Sequence, residues 1–95
     1  MKMYVLVRRD LNQSYQAVQG GHALAEFLLN CPQDWGNSTL IYLGVNDEFH
    51  LKRWEDKLER LGITYAEWRE PDIGDQITAI AAYSSEKVFN NLNLL

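Results

Sequence analysis

The chain is short of several things at once. It has one cysteine, two prolines, two histidines, and nine basic against thirteen acidic side chains in 95 residues. A lone Cys31 excludes an internal disulfide and any cysteine-rich zinc site, and it suits a reducing compartment, so the cytoplasm is the expected location. No apolar run approaches the ~18 residues that a membrane span needs, and the segment before Arg8-Arg9-Asp10 is too short for a secretory signal. Two histidines without an HxxxH or HxE spacing offer no metal site, and no cofactor is expected. No GxSxG elbow presents a serine nucleophile. No GxGxxG or P-loop follows the first apolar run, which argues against dinucleotide and NTP enzymes. A net charge of −4 argues against a general nucleic-acid coat and against DNA, but it leaves local phosphate contacts open, because the distribution of charge matters more than its sum.

What is present is apolar and aromatic: 46% hydrophobic residues, with three Trp, five Tyr and three Phe. That is ample for one domain spanning residues 1–95 around a single core. Met3 to Arg8 reads as a buried strand. Asn12 or Ser14 is placed to cap a helix running to about Asn30, where Cys31-Pro32 stops it. Thr39 to Val45 is a second strand, apolar on both faces and therefore expected inside the sheet. Asn46-Asp47 caps a second helix, whose Leu51, Trp54, Leu58 and Leu61 form a stripe at spacings of three and four, with Gly62 at its C-cap. Ile63 to Trp68 and Gln76 to Tyr83 are strands flanking a loop, and Ser84 starts a short last helix. The order β-α-β-α-β-β-α predicts a single layered α/β domain, a four-stranded mixed sheet flanked by helices.

Function is expected around Gln16-Ala-Val-Gln-Gly-Gly-His-Ala-Leu24. On a helix, Tyr15, Gln19, His22 and Glu26 fall within about 60° of each other, with Ala17, Gly21, Leu24 and Leu28 roughly opposite. Paired glycines inside a helix cost ~1 kcal/mol each, so Gly20 and Gly21 are both expected to allow a close approach to the sheet or a ligand. His50, on the charged second helix, reads as a surface residue. His22 reads either as a satisfied structural histidine or as a general base. Asp72 is either a turn former or the group that orients that base. In open α/β sheets ligands sit beyond the carboxyl ends of parallel strands. There His22, Asp10, Arg69 and Asp72 are expected to line one cleft. The basic residues of the second helix, Lys52, Arg53, Lys57 and Arg60, are interleaved with Glu55, Asp56 and Glu59 and read as a self-paired surface.

Two segments resemble a known family. Tyr4-Val-Leu-Val-Arg-Arg-Asp-Leu11 followed by Gln16-Ala-Val-Gln-Gly-Gly-His-Ala23 looks like the opening of the type II peptidyl-tRNA hydrolases, with their Arg-x-Asp-Leu turn and Ala-Ala-Gln-Cys-Ser-His-Ala helix. Arg69-Glu-Pro-Asp-Ile-Gly-Asp-Gln-Ile-Thr78 resembles that family's Arg-Asp-Ala-Gly-Arg-Thr-Gln-Ile segment. The likeness covers nearly the whole chain in element order. It implies hydrolysis of the ester of peptidyl- or aminoacyl-tRNA by a histidine-activated water, in translation. His22 would be the base, Asp72 its orienter or a water positioner, and Gln19 or amides near the helix start the oxyanion donors. Arg8, Arg9, Asp10, Arg69, Gln76 and Thr78 would meet the substrate, and the arginines among them its phosphates. A homodimer is left open. The chain departs from the family pattern at Asn12-Gln-Ser-Tyr15, which lacks the lysine of the family's Gly-Lys-Gly-Lys-like turn. A non-catalytic module using the same cleft for a small acidic ligand or a protein partner is therefore the alternative.

Overall fold

The computed structural model describes residues 1–95. Strand β1 (Lys2–Arg8) leads to helix α1 (Gln13–Asn30), followed by β2 (Leu40–Val45), α2 (Glu48–Arg60), β3 (Tyr65–Glu70) and β4 (Gln76–Ser84). The four strands form one sheet in the order β2-β1-β4-β3. β1 is parallel to β2 and antiparallel to β4, which is antiparallel to β3. β1 and β3 therefore run the same way, and the carboxyl ends of β1, β2 and β3 share one edge of the sheet.

β1 and β4 are the inner strands, which explains why both are apolar on both faces. Their alternating side chains build two cores. Met3, Val5, Val7, Ala79 and Ala81 pack with Ala23 and Phe27 of α1. Tyr4, Leu6, Ile77 and Ile80 pack with Leu51 and Leu58 of α2. Trp54 lies half-buried on the second core, and Leu61 is exposed.

Three expectations about the elements need correction. β2 is an edge strand, although it is apolar on both faces. Its free backbone is met by the chain end: the Gly44 amide donates to the Asn93 carbonyl and the Leu95 amide to Tyr42, so the edge is covered without a fifth strand. The third strand starts and ends two residues later than expected. It continues through a register shift between Trp68 and Arg69 that pairs Glu70 with Gln76. The last helix is only a 3-10 turn, Glu86–Val88, capped by Ser85 rather than Ser84.

The caps follow ordinary rules. The Asn12 side chain accepts from the Tyr15 amide, and that of Asp47 from the His50 amide. Gly62, at φ +70°, ends α2 in the left-handed conformation that favours glycine.

Helix α1 buries Gln19, Gly20, Ala23 and Phe27. Ala17, Gly21 and Leu28, on the side away from the polar stripe, are exposed. The two glycines consequently differ. A Cβ on Gly20 would sit 2.5 Å from Tyr42 Cε2 and 3.1 Å from Val7 Cγ2, whereas one on Gly21 would meet nothing. Only Gly20 permits the close approach expected of both.

Candidate active site

Gln19 is the one polar side chain that α1 sends under itself, and it is fully buried, as is Thr78 on β4. A buried amide needs partners, and it has two. Thr78 Oγ1 donates to Gln19 Oε1 at 2.6 Å, and Gln19 Nε2 donates to Glu70 Oε1 at 2.8 Å. Glu70 is 8% exposed, and its other oxygen accepts from the Asp72 amide at 3.3 Å. The hydrogen bond from Gln19, then that from the Asp72 amide, holds the Glu70 carboxyl below its usual range, and the nearby His22 contributes in the same sense. This chain of three residues leaves a fixed anion at the carboxyl end of β3, on the α1 face of the sheet.

His22 is one helical step beyond Gln19 on the same stripe. Its ring is exposed and lies parallel to the Trp68 indole, with centroids 4.3 Å apart and planes at 11°. Trp68, two residues before Glu70 on β3, points to the same face, so the imidazole is held on a platform beside the carboxylate. Tyr15 lies on this stripe too, with its hydroxyl near Glu70 and Asp72; burial, then those two charges, raises its pKa. The Asp72 side chain is exposed and makes no hydrogen bond within the protein. No cavity forms here, since none of the protein's four hollows is lined by His22.

The other expected residues lie elsewhere. Arg8 is 7% exposed. It is bidentate to Asp10, at 2.9 and 2.8 Å, and donates to Gln76 Oε1 at 2.8 Å and the Ile77 carbonyl at 3.1 Å. That pairing raises the Arg8 pKa and holds Asp10 below the usual carboxylate range. Glu48 and Asp47, at the start of α2, are its other charged neighbours. Arg69 extends over the α2 face, donating to Glu67 at 2.9 Å and to the Asp75 carbonyl at 3.2 Å. Arg9 crosses Gly44, where a Cβ would come within 2.2 Å of its Nε, and donates to the Leu94 carbonyl. The structure thus gathers Gln19, His22, Asp72 and Thr78 on the α1 face, and places Arg8, Asp10, Gln76, Arg69 and Arg9 at the α2 side or the β2 edge. Asp10 and Arg69 do not join His22 in one cleft. The amides at the start of α1 lie about 12 Å along the helix axis from His22, too far to serve the same reacting carbon.

Sequence reasoning missed Glu70 and Trp68. Trp68 closed the expected third strand, and Glu70 was read as part of the loop after it. Their period-2 alternation marks one face, but only past a register shift that no local pattern announces.

α2 carries a second correction. Its acidic residues, with one exception, are not partners for its cations. Glu48 Oε2 accepts from the Ile77 amide at 2.8 Å and Glu59 from the Tyr65 hydroxyl at 2.8 Å. Glu55 is 9% exposed against the sheet. The one α2 ion pair among the four expected cations is Lys52–Glu48 at 3.9 Å. Arg53, Lys57 and Arg60 have no carboxylate within 4.0 Å.

A polar network beneath one helix, at the carboxyl edge of a mixed sheet, defines an α/β protein whose candidate site is carried by α1 and the end of β3. The sequence pattern of the family described as peptidyl-tRNA hydrolase PTH2 matches residues 1–89, and the chain belongs to that family. No curated protein matches it by sequence. Among solved structures, it is similar to a protein of unknown function from Agrobacterium tumefaciens, at a TM-score of 0.75 and 10% identity. The match covers 99% of this chain and 96% of the other, and at that identity it speaks to the fold alone. No helix is long and apolar enough to cross a membrane.

Proposed function

We propose that this protein hydrolyses the ester joining a peptidyl or aminoacyl group to the terminal ribose of tRNA, with His22 as the general base. The observation that supports this most directly is the exposed imidazole stacked on Trp68 beside the ionised Glu70. A water attacks the ester carbonyl as His22 takes its proton. The oxyanion collapses, the ribose oxygen leaves, and the imidazolium returns the proton to it. Glu70 stabilises the imidazolium electrostatically. Gln19 and Thr78, both out of reach of substrate, act by fixing Glu70. Asp72, exposed on the same loop, positions the water. Such a reaction fits a role in translation in the cytoplasm.

The absence of any hollow at His22, together with the missing family lysine, favours a second reading, a binding module that retains the site without turnover. Peptidyl-tRNA hydrolysis by the unmodified chain and by His22→Ala separates them. Loss of a general base should lower kcat by about 10²–10⁴. Equal rates for the two proteins would defeat the histidine mechanism, and no turnover by either would leave the binding module.

A further inference from the structure

The three unpaired cations of α2 line one concave surface. Helical spacing sorts the charges of Glu48 to Arg60. The glutamates at 48, 55 and 59 turn toward the sheet and are engaged there, while Arg53, Lys57 and Arg60 face outward on one stripe. They line a hollow of about 260 Å³ with His50, Trp54 and Asp56. Counting Asp56 against the three cations, the lining carries a local charge of about +2 in a chain whose net charge is −4. Two of the cations are held over rings: Lys57 Nζ lies 4.7 Å from the Trp54 centroid and Arg53 Cζ 5.8 Å from that of Phe49. A second hollow of about 190 Å³ shares His50 and Trp54 with the first and has Arg9 among its lining residues. The concave surface along α2 therefore adjoins the carboxyl edge of the sheet, where β1 ends and Arg9 follows.

We propose that this groove binds the phosphodiester backbone of RNA, and is where the protein holds the tRNA body while the ester lies at the α1 face. The inference rests on the peptidyl-tRNA reading for the identity of the RNA, but its geometry is separate. Of the expected phosphate contacts, Arg8 and Arg69 are consumed by Asp10 and Glu67; Arg9 has no carboxylate partner, and α2 adds three more unpaired cations. From Arg53 to Arg60 they span about 10 Å along the helix, a length over which one nucleic-acid strand presents more than one phosphate. The cation–π contacts restrain long side chains that would otherwise lose more entropy on binding.

The test uses the full chain and a fluorescent, deacylated acceptor-stem minihelix, with affinity measured by anisotropy across a salt series. Because this RNA carries no acyl ester, the result is independent of hydrolysis, and the His22 assay remains a separate measurement. Arg53→Ala and Lys57→Ala should each weaken binding about three-fold or more at low salt, and each should lower the log–log salt slope by roughly 1. Lys57→Arg should keep the slope, as should Lys87→Ala, an exposed cation outside the groove. Unchanged slopes in the two α2 alanine variants, or no salt-dependent binding by the unmodified chain, would overturn the proposal. Polyglutamate binding as tightly as the minihelix at equal ionic strength would also overturn it, assigning the groove to an acidic protein partner.

Discussion

Helices α1 and α2 cover opposite faces of one sheet, yet α1 carries a single Asp, Glu, Lys or Arg in 18 residues and α2 carries eight in 13. The charged helix has only one side it can bury, the stripe of Leu51, Trp54 and Leu58, so its orientation follows from desolvation alone. The uncharged helix could bury almost any side. What settles α1 is the sheet beneath it. Thr78 and Glu70 need a hydrogen-bonding partner that Gln19 supplies, and Tyr42 leaves room for glycine at position 20 and nothing larger. The faces also differ in how their polar groups end up. On the α1 face, Gln19, Thr78 and Glu70 satisfy one another. On the α2 face, burial drives the Glu55 carboxyl up to about 8, with a hydrogen bond to Glu67 adding to the effect, while Glu67 is held low chiefly by that same bond.

The contrast breaks most visibly at the glycines. Gly20→Leu should cost about 3 kcal/mol, because the new side chain collides with Tyr42 and Val7. Gly21→Leu, in open space, should be neutral or gain a few tenths of a kcal/mol from helix propensity. Urea unfolding of the two variants measures the difference, and equal midpoints would mean that α1 does not sit as closely on β1 and β2 as the contacts require.

Removing the hub of the polar network comes next. Gln19→Leu keeps the volume but strands the buried Thr78 hydroxyl, at about 1–3 kcal/mol, and removes the hydrogen bond that does most to lower the Glu70 pKa. The double variant Gln19→Leu/Thr78→Val should recover part of the loss, since no hydroxyl is then left unmet. A double variant no more stable than Gln19→Leu alone would show that the two groups do not act as a unit.

A third expected effect lies on the α2 face and depends on pH. Glu55 has a folded-state pKa raised above its unfolded value, so the folded chain holds the extra proton. Its contribution is fully present below the unfolded pKa, near 4.5, and is lost as pH rises through about 8. The melting temperature should therefore decline from pH 5 toward pH 9, and Glu55→Gln should flatten that decline. A Glu55→Gln profile parallel to that of the unmodified chain would assign the pH dependence to other groups.

Much of this was legible in the residues themselves. Strands β1 and β4 declare themselves because a strand buried on both faces is apolar along most of its length. α2 declares its start, its stripe and its end through Asp47, Leu51 and Gly62, all local features. Gln16 to Ala23 marks the helix of the site, and the likeness to the peptidyl-tRNA hydrolases is carried by residues only a few positions apart. Local chemistry is enough for each of these, because caps, turns and periodicity act within a few residues. Tertiary structure alone decided the rest. It placed apolar β2 at an edge, where Asn93 and Leu95 could cover it. It turned Arg8 and Arg69 toward Asp10 and Glu67, and it brought Glu70 across 51 residues of sequence to Gln19. It also separated Arg53, Lys57 and Arg60 from carboxylates beside them in sequence, since Glu48, Glu59 and Glu55 found partners or burial on the sheet. These outcomes depend on which distant groups compete for each charge, and no stretch of sequence contains that competition.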